Sequence, residues 1–164
     1  MQTRHNEHSA AGFTLIEMMI TVSIAAILLA VSVPTFRTFT YSQRVKTSSF
    51  DMYSTLMFAR SEAIKRRADV TVTAVSSDWN NGWTVSVGAT TLRSQDPPRG
   101  ISVTSGVTVL TYRLDGRLTA GDASLLLSAD SSSVADAAGR RCIQVDTTGL
   151  PRTVKLASGV TTCT

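Results

Sequence analysis

Between Phe13 and Val33 the chain carries twenty-one residues, of which only one, Glu17, is ionisable. Wound as a helix at 1.5 Å per residue, this run would measure about 31 Å, the thickness of a bilayer's hydrocarbon core. A segment of that length and apolarity is able to cross a membrane, so the rest of the chain folds as an appendage to it. The residues ahead are polar and include Arg4, His5, Glu7 and His8. A secretory signal would carry a small-residue cleavage site after its apolar run, and Ala30-Val31-Ser32-Val33-Pro34 is a poor version of one. The break in polarity falls before the run instead, at Gly12-Phe13. Within the run, Glu17 is the oddity, because a carboxylate at membrane depth costs roughly 2.5–3.5 kcal/mol on insertion scales unless it finds a partner or a proton. The bland alternative is an uncleaved signal anchor whose glutamate lies near the interface.

Gly12, Phe13 and Glu17 resemble the processing and assembly motif of type IV prepilins and type II secretion pseudopilins. The resemblance implies that a prepilin peptidase cuts between Gly12 and Phe13 and methylates the new Phe13 amine. It also implies that Glu17 pairs, in a filament, with the Phe13 amine of a neighbouring subunit. The physical chemistry is consistent, since a carboxylate and an ammonium in a low-dielectric bundle are each intolerable alone and acceptable as a hydrogen-bonded pair. Pro34 matches a proline common in pilins; it lacks an N–H and clashes one turn back, so a helix kink is expected there.

From Thr35 to Arg67 there is no glycine and no further proline, and Val45, Met52, Leu56, Ala59 and Ala63 recur at helical steps. Phe50, Tyr53, Met57 and Ile64 widen the stripe, which should pack on a sheet while Arg44, Lys46, Arg60, Arg66 and Arg67 stay in water. At Val70 the period changes to two and β-branched residues take over. Candidate strands are Val70–Val75, Trp83–Val87, Thr90–Arg93, Ile101–Thr104, Val107–Leu114, Ser124–Ala129, Arg141–Asp146 and Arg152–Leu156. Asn80-Asn81-Gly82, Asp96-Pro97-Pro98-Arg99-Gly100 and Asp115-Gly116 carry turn chemistry between them. Helix first and antiparallel strands after predicts an α+β fold. The expected division is a leader over 1–12, a membrane and assembly half-helix over 13–34, an amphipathic spine over 35–69 and a β-rich domain over 70–164.

The stretch Phe58-Ala59-Arg60-Ser61-Glu62-Ala63-Ile64-Lys65-Arg66, then a strand, then Trp79-Asn80-Asn81-Gly82-Trp83 and a late cysteine strand, resembles the GspH/FimT (FimU-like) group of minor pilins. That resemblance implies the type IV pilin-like fold, a long N-terminal helix packed on a C-terminal antiparallel sheet domain. Trp79 and Trp83 read as hairpin and core packing.

Both histidines precede Phe13, so a processed chain would contain none, which removes the usual general base and metal ligand. No H-E-x-x-H, G-x-S-x-G, G-x-G-x-x-G or phosphate-loop pattern occurs, and the carboxylates are scattered. An enzyme, a cofactor and a metal site are therefore not expected. The formal charge of +4 bears on solubility and non-specific contacts only. Cys142 and Cys163, if exported, can form a disulfide worth about 3 kcal/mol in the chain-entropy model, holding the terminal strand to the sheet. Arg140, Arg141, Arg152 and Lys155 form a basic C-terminal region able to contact phosphates. Some FimT-type minor pilins bind DNA through a glycine-arginine-any-arginine motif near the C-terminus. The matching stretch here, Gly149-Leu150-Pro151-Arg152, lacks one arginine, and Asp136 and Asp146 dilute the charge. The plainer reading of these side chains is a solvated loop.

The expectation is a minor pilin, single-pass in a bacterial inner membrane with a periplasmic C-terminal domain, that joins a type IV pilus initiation or tip complex after cleavage. Its partners would be the prepilin peptidase, other minor and major pilins or pseudopilins, and the membrane. The rivals are a type II secretion pseudopilin and a DNA-binding minor pilin for natural transformation.

Overall fold

The structure, a computed structural model, describes residues Gly12 to Cys163; the expected leader, apart from Gly12, lies outside the described residues. The chain falls into two units, one ending at Phe36 and the other starting at Arg37, and a single helix, α1 (Leu15–Arg66), contributes to both. In the first unit the helix is apolar all round, with Leu15, Ile16, Met19, Val22, Ile27 and Leu28 exposed. Among the described residues it is the one helix long and apolar enough to cross a membrane, with a mean hydropathy of 2.3 over its best window. Its hydroxyls fold back on their own helix: Thr21 donates to the Met18 carbonyl (2.9 Å), Ser23 to Met19 (2.7 Å) and Ser32 to Leu28 (2.8 Å). Polar atoms satisfied within the segment are what hydrocarbon surroundings require.

The second unit packs one face of α1 against eight strands. Val45, Ser49, Met52, Leu56, Ala59 and Ala63 form the buried stripe, following the expected helical period. β1 (Val70–Ala74), β2 (Trp83–Val87), β3 (Thr90–Gln95) and β5 (Val109–Tyr112) make one antiparallel sheet, in the order β3-β2-β1-β5. β4 (Ile101–Ser105), β6 (Ala123–Ala129), β7 (Arg141–Val145) and β8 (Pro151–Lys155) make the other, in the order β4-β6-β7-β8. Val72 lies opposite both Val85 and Leu110, and Leu125 lies opposite Ile143. Because strand side chains alternate, these positions and Val70, Trp83, Leu127 and Val145 all face one core. Each fully buried Val, Leu or Ile stabilises the fold by about 1.5–3 kcal/mol relative to exposure.

Several expectations change. Phe50 and Ile64 are exposed, so the apolar stripe of the spine is narrower than its composition suggests. Arg60 does not stay in water: its Nε donates to the Gly116 carbonyl at 3.1 Å and an Nη to the Thr148 carbonyl at 3.4 Å, tying the helix to turns that follow β5 and β7. The link between β1 and β2 is not a tight hairpin turn. It consists of two 3-10 turns, Val75–Ser77 and Trp79–Asn81. Both tryptophans are buried there, 6.4 Å apart, with Trp79 Nε1 donating to the Val107 carbonyl and Trp83 Nε1 to Thr55 Oγ1. The side-chain amide of Asn80 accepts from the Val103 N–H (2.8 Å) and donates to the Val103 carbonyl (3.3 Å), standing in for a strand at the edge of β4. A short helix, α2 (Ser132–Ala138), fills the stretch between β6 and β7, burying Ala135 and Ala138.

The disulfide joins Cys142 to Cys163, 21 residues apart. Cys163 lies in coil beyond β8, so the bridge pins the C-terminal tail rather than the terminal strand. Cys142 points to the face of β7 opposite Ile143, yet both are fully buried, because the tail covers that face.

Gly116 and Gly149 approach each other with positive φ, and a Cβ on Gly149 would stand 2.1 Å from the Gly116 carbonyl oxygen. Gly149→Ala is therefore expected to destabilise the fold by about 2–4 kcal/mol, combining backbone strain with overpacking. Gly106→Ala, which meets nothing within 4 Å, is expected to change little. Thermal unfolding of the full chain in detergent compares the two; equal midpoints would remove the packing role of Gly149.

Candidate functional site

At the front of α1, Thr14 precedes the first helical residue and its Oγ1 accepts from the Glu17 N–H at 3.3 Å. Thr14-x-x-Glu17 has the spacing of a capping box, so local chemistry starts the helix here. The same start fixes Glu17 in the first turn, where the helix dipole favours negative charge. Phe13 sits one turn away and is 76% exposed. From Gly12 to Phe36 the sequence holds no Lys, Arg or His. The carboxylate thus lies in an apolar segment that supplies no side-chain cation of its own.

In the second unit, the part of α1 that the sheets leave uncovered presents Phe39 and Phe50, the latter 67% exposed. Phe50 borders a groove of about 550 Å³ lined also by Lys46, Thr47, Tyr53, Arg141 and Thr153, between the helix and the β7–β8 edge. Sequence periodicity had assigned Phe50 to the core stripe; its half-turn offset from Val45 and Met52 was the signal that it faces outward.

The four basic residues of the tail do not converge. Arg141 and Lys155 are directly paired across β7 and β8, and by strand alternation they share the core-facing side with Ile143 and Thr153. Arg152 pairs with Gln144 on the opposite side, in a cleft with Asp122 and Asp146. Arg140 is taken up by the fold: its guanidinium pairs with Asp136 of α2, donates to the Val160 carbonyl, and its side chain is only 15% exposed. Hydrogen bonds from the Thr148 hydroxyl and N–H, with Arg152 nearby, hold the Asp146 carboxyl below the usual range, so an anion stands beside Arg152 at neutral pH. Gly149 is buried and serves the close approach to Gly116, so the Gly149-Leu150-Pro151-Arg152 stretch is the turn into β8 and the first residues of that strand. On the spine, hydrogen bonding to Arg66 (2.6 Å) and the charge of Lys65 likewise lower the Glu62 carboxyl.

Comparison with known proteins places this geometry. Residues 51–149 match the family described as type II transport protein GspH, and residues 8–33 match the prokaryotic N-terminal methylation motif. No protein with curated annotation matched. Among solved structures, the chain is similar to the type IV minor pilin FimU of Pseudomonas aeruginosa, at 22% identity over 74% of this chain and 95% of that one, with a TM-score of 0.60. It is also similar to the minor pseudopilin EpsH from the type 2 secretion system of Vibrio cholerae, at 14% identity over 71% and 99%, with a TM-score of 0.50. Both share the long N-terminal helix packed on antiparallel sheets. With more than half of its length matched by the family model and the methylation motif ahead of it, the chain belongs to the GspH family and is a type IV pilin-like minor pilin of the GspH/FimT kind.

Proposed function

We propose that the chain is cleaved between Gly12 and Phe13 by a prepilin peptidase, methylated on the Phe13 amine, held in the bacterial inner membrane by the first unit, and drawn from there into a filament. The observation that carries this reading is the isolation of Glu17: an acid fixed in the first turn of α1, in an apolar segment that holds no cationic side chain as far as Phe36. Cleavage creates the missing cation, an ammonium on Phe13. A carboxylate and that ammonium, the latter from a neighbouring subunit, satisfy each other in a low-dielectric bundle and fix the axial register of the helices. Pro34 supports a bend between the half that packs in the filament and the half that carries the sheets. The C-terminal unit then faces the periplasm and meets other minor and major pilins, with no catalytic role.

We take the filament to be a type IV pilus, in its initiation or tip complex, as FimU is a type IV minor pilin. The rival is a type II secretion pseudopilus, of which EpsH is a minor subunit. Deleting this chain is expected to abolish or sharply reduce surface pili while export of secreted enzymes continues. Loss of export with normal piliation would reverse the assignment. A DNA-binding role receives no support from the divided placement of Arg140, Arg141, Arg152 and Lys155.

A further inference from the structure

From Met18 to Phe50 the sequence contains no Asp or Glu, whereas Arg37, Arg44 and Lys46 follow closely on the apolar run. In the second unit Arg44 lies over the Tyr41 ring at 5.4 Å. The loop between β3 and β4 is folded against it: a Cβ on Gly100 would stand 2.7 Å from an Arg44 Nη and 3.3 Å from the Tyr41 ring. The glycine, with φ +72, lets the loop backbone reach the helix at Arg44. Arg44 and Arg99 then line one groove of about 470 Å³ together with Phe39, Gln43 and Ser48. Asp96, at the start of this loop, and Asp130, whose N–H donates to the Gly100 carbonyl at 3.3 Å, do not line it. Among the described residues no ion pair engages Arg37, Arg44 or Arg99.

Two arginines from separate elements that line one groove, with no acidic residue among its lining, call for an anion of phosphate type. Their position selects its source. Arg37 is the first charged residue after Glu17, and Arg44 follows it by seven residues, two helical turns and about 10 Å. Side chains on a helix lean toward its N-terminus, which shortens that distance. The polar layer of a bilayer is roughly 5–8 Å deep on each side and its surface charge acts over about a further 8 Å. Tyr41 adds an aromatic residue of the kind enriched at the membrane interface, and Phe39 beside it an exposed apolar ring.

We propose that Arg44 and Arg99, with Arg37 and Phe39, form a seat for the phosphate headgroups of anionic phospholipids, which steadies the globular unit on the membrane before the subunit is extracted into a filament. The proposal rests on the membrane anchoring given above. Each cation near an anionic surface shifts partition by roughly fivefold, so two acting together are readable as lipid selectivity.

The test uses the full chain reconstituted in phosphatidylcholine bilayers with and without phosphatidylglycerol, followed by mass analysis of the lipid retained on purification. Phosphatidylglycerol is expected to be enriched about fivefold or more over its share of the bulk lipid, and Arg44→Gln/Arg99→Gln is expected to return it to that share. Arg99→Gln alone, on an exposed loop, keeps the test sound should loss of the Arg44 packing perturb folding, and it is expected to lose about half of the enrichment on a logarithmic scale. Arg67→Gln, at the far end of α1, is expected to change nothing. No enrichment in the unaltered chain, or enrichment that survives both the double and the single variant, overturns the proposal. Loss of bound phosphatidylglycerol in sodium phosphate but not in chloride of equal ionic strength would reassign the groove to free phosphate and overturn it as well. Failure to insert into pure phosphatidylcholine would instead strike at the membrane anchoring, which separates the two claims.

Discussion

Replacing Gly12 by valine is expected to leave nearly all of the chain uncleaved between residue 12 and Phe13 in cells that make the prepilin peptidase. The reason is geometric. A glycine on the leaving side of the scissile bond lets a protease backbone approach without a Cβ, and misplacing a reacting bond by about 1 Å slows catalysis on the order of a hundredfold. Among the described residues nothing lies within 4 Å of the place a Cβ would occupy, so their packing does not require a glycine there. A precursor that accumulates therefore reports on processing and not on misfolding, and the second unit of the variant should unfold at the same temperature as that of the unaltered chain. The check is the size and N-terminal sequence of the cellular protein. Normal shortening of the valine variant would remove Gly12 from the account.

Glu17→Ala is expected to leave insertion and folding intact and to remove the chain from filaments. Alanine is the best helix former, and losing the carboxylate makes a membrane position more favourable by roughly 2.5–3.5 kcal/mol. The lost first-turn interaction of the carboxylate with the helix dipole costs about 0.3–1 kcal/mol, less than that gain, so the variant is the better membrane helix. What it lacks is a partner for the Phe13 ammonium of the next subunit, and a buried charge left without its partner costs about 3–5 kcal/mol. That is on the order of a hundred- to several thousandfold in incorporation. Glu17→Gln, which retains a hydrogen-bond acceptor but no charge, should fall between. Quantifying the chain in sheared filaments against the membrane fraction checks this, and wild-type incorporation of the alanine variant would contradict the pairing.

The parts of this molecule that are local in sequence were readable from it. The apolar run and its single acid form a one-dimensional pattern, and Leu15–Arg66 is indeed one helix. The alternation of Val70, Val72 and Ala74 predicts β1 almost to the residue, and β2 lies where expected, at Trp83–Val87. α2 was legible but not read: Ser131 before it, the alanines within it and Gly139 after it are helix start, interior and stop signals. Other features were beyond such reasoning because they depend on long-range packing. The division into two sheets is set by pairings such as β1 with β5, and Arg60 meets carbonyls 56 and 88 residues away. The Asn80 amide takes a strand's place only because β4 arrives beside it. The basic tail shows the reverse error. Arg141, Arg152 and Lys155 lie close together in sequence, but the two-residue period of β7 and β8 puts Arg152 on the other face, and a count of charges does not register faces.

The central claim, that this chain becomes a filament subunit by cleavage at Gly12-Phe13, is tested most directly by mass analysis of its N-terminal peptide in purified filaments. The account predicts a peptide that begins at Phe13 and carries one added methyl group on its amine. Filament-associated chain that retains Gly12 and the residues before it, or filaments in which the chain is absent although it is present in the membrane, would contradict it.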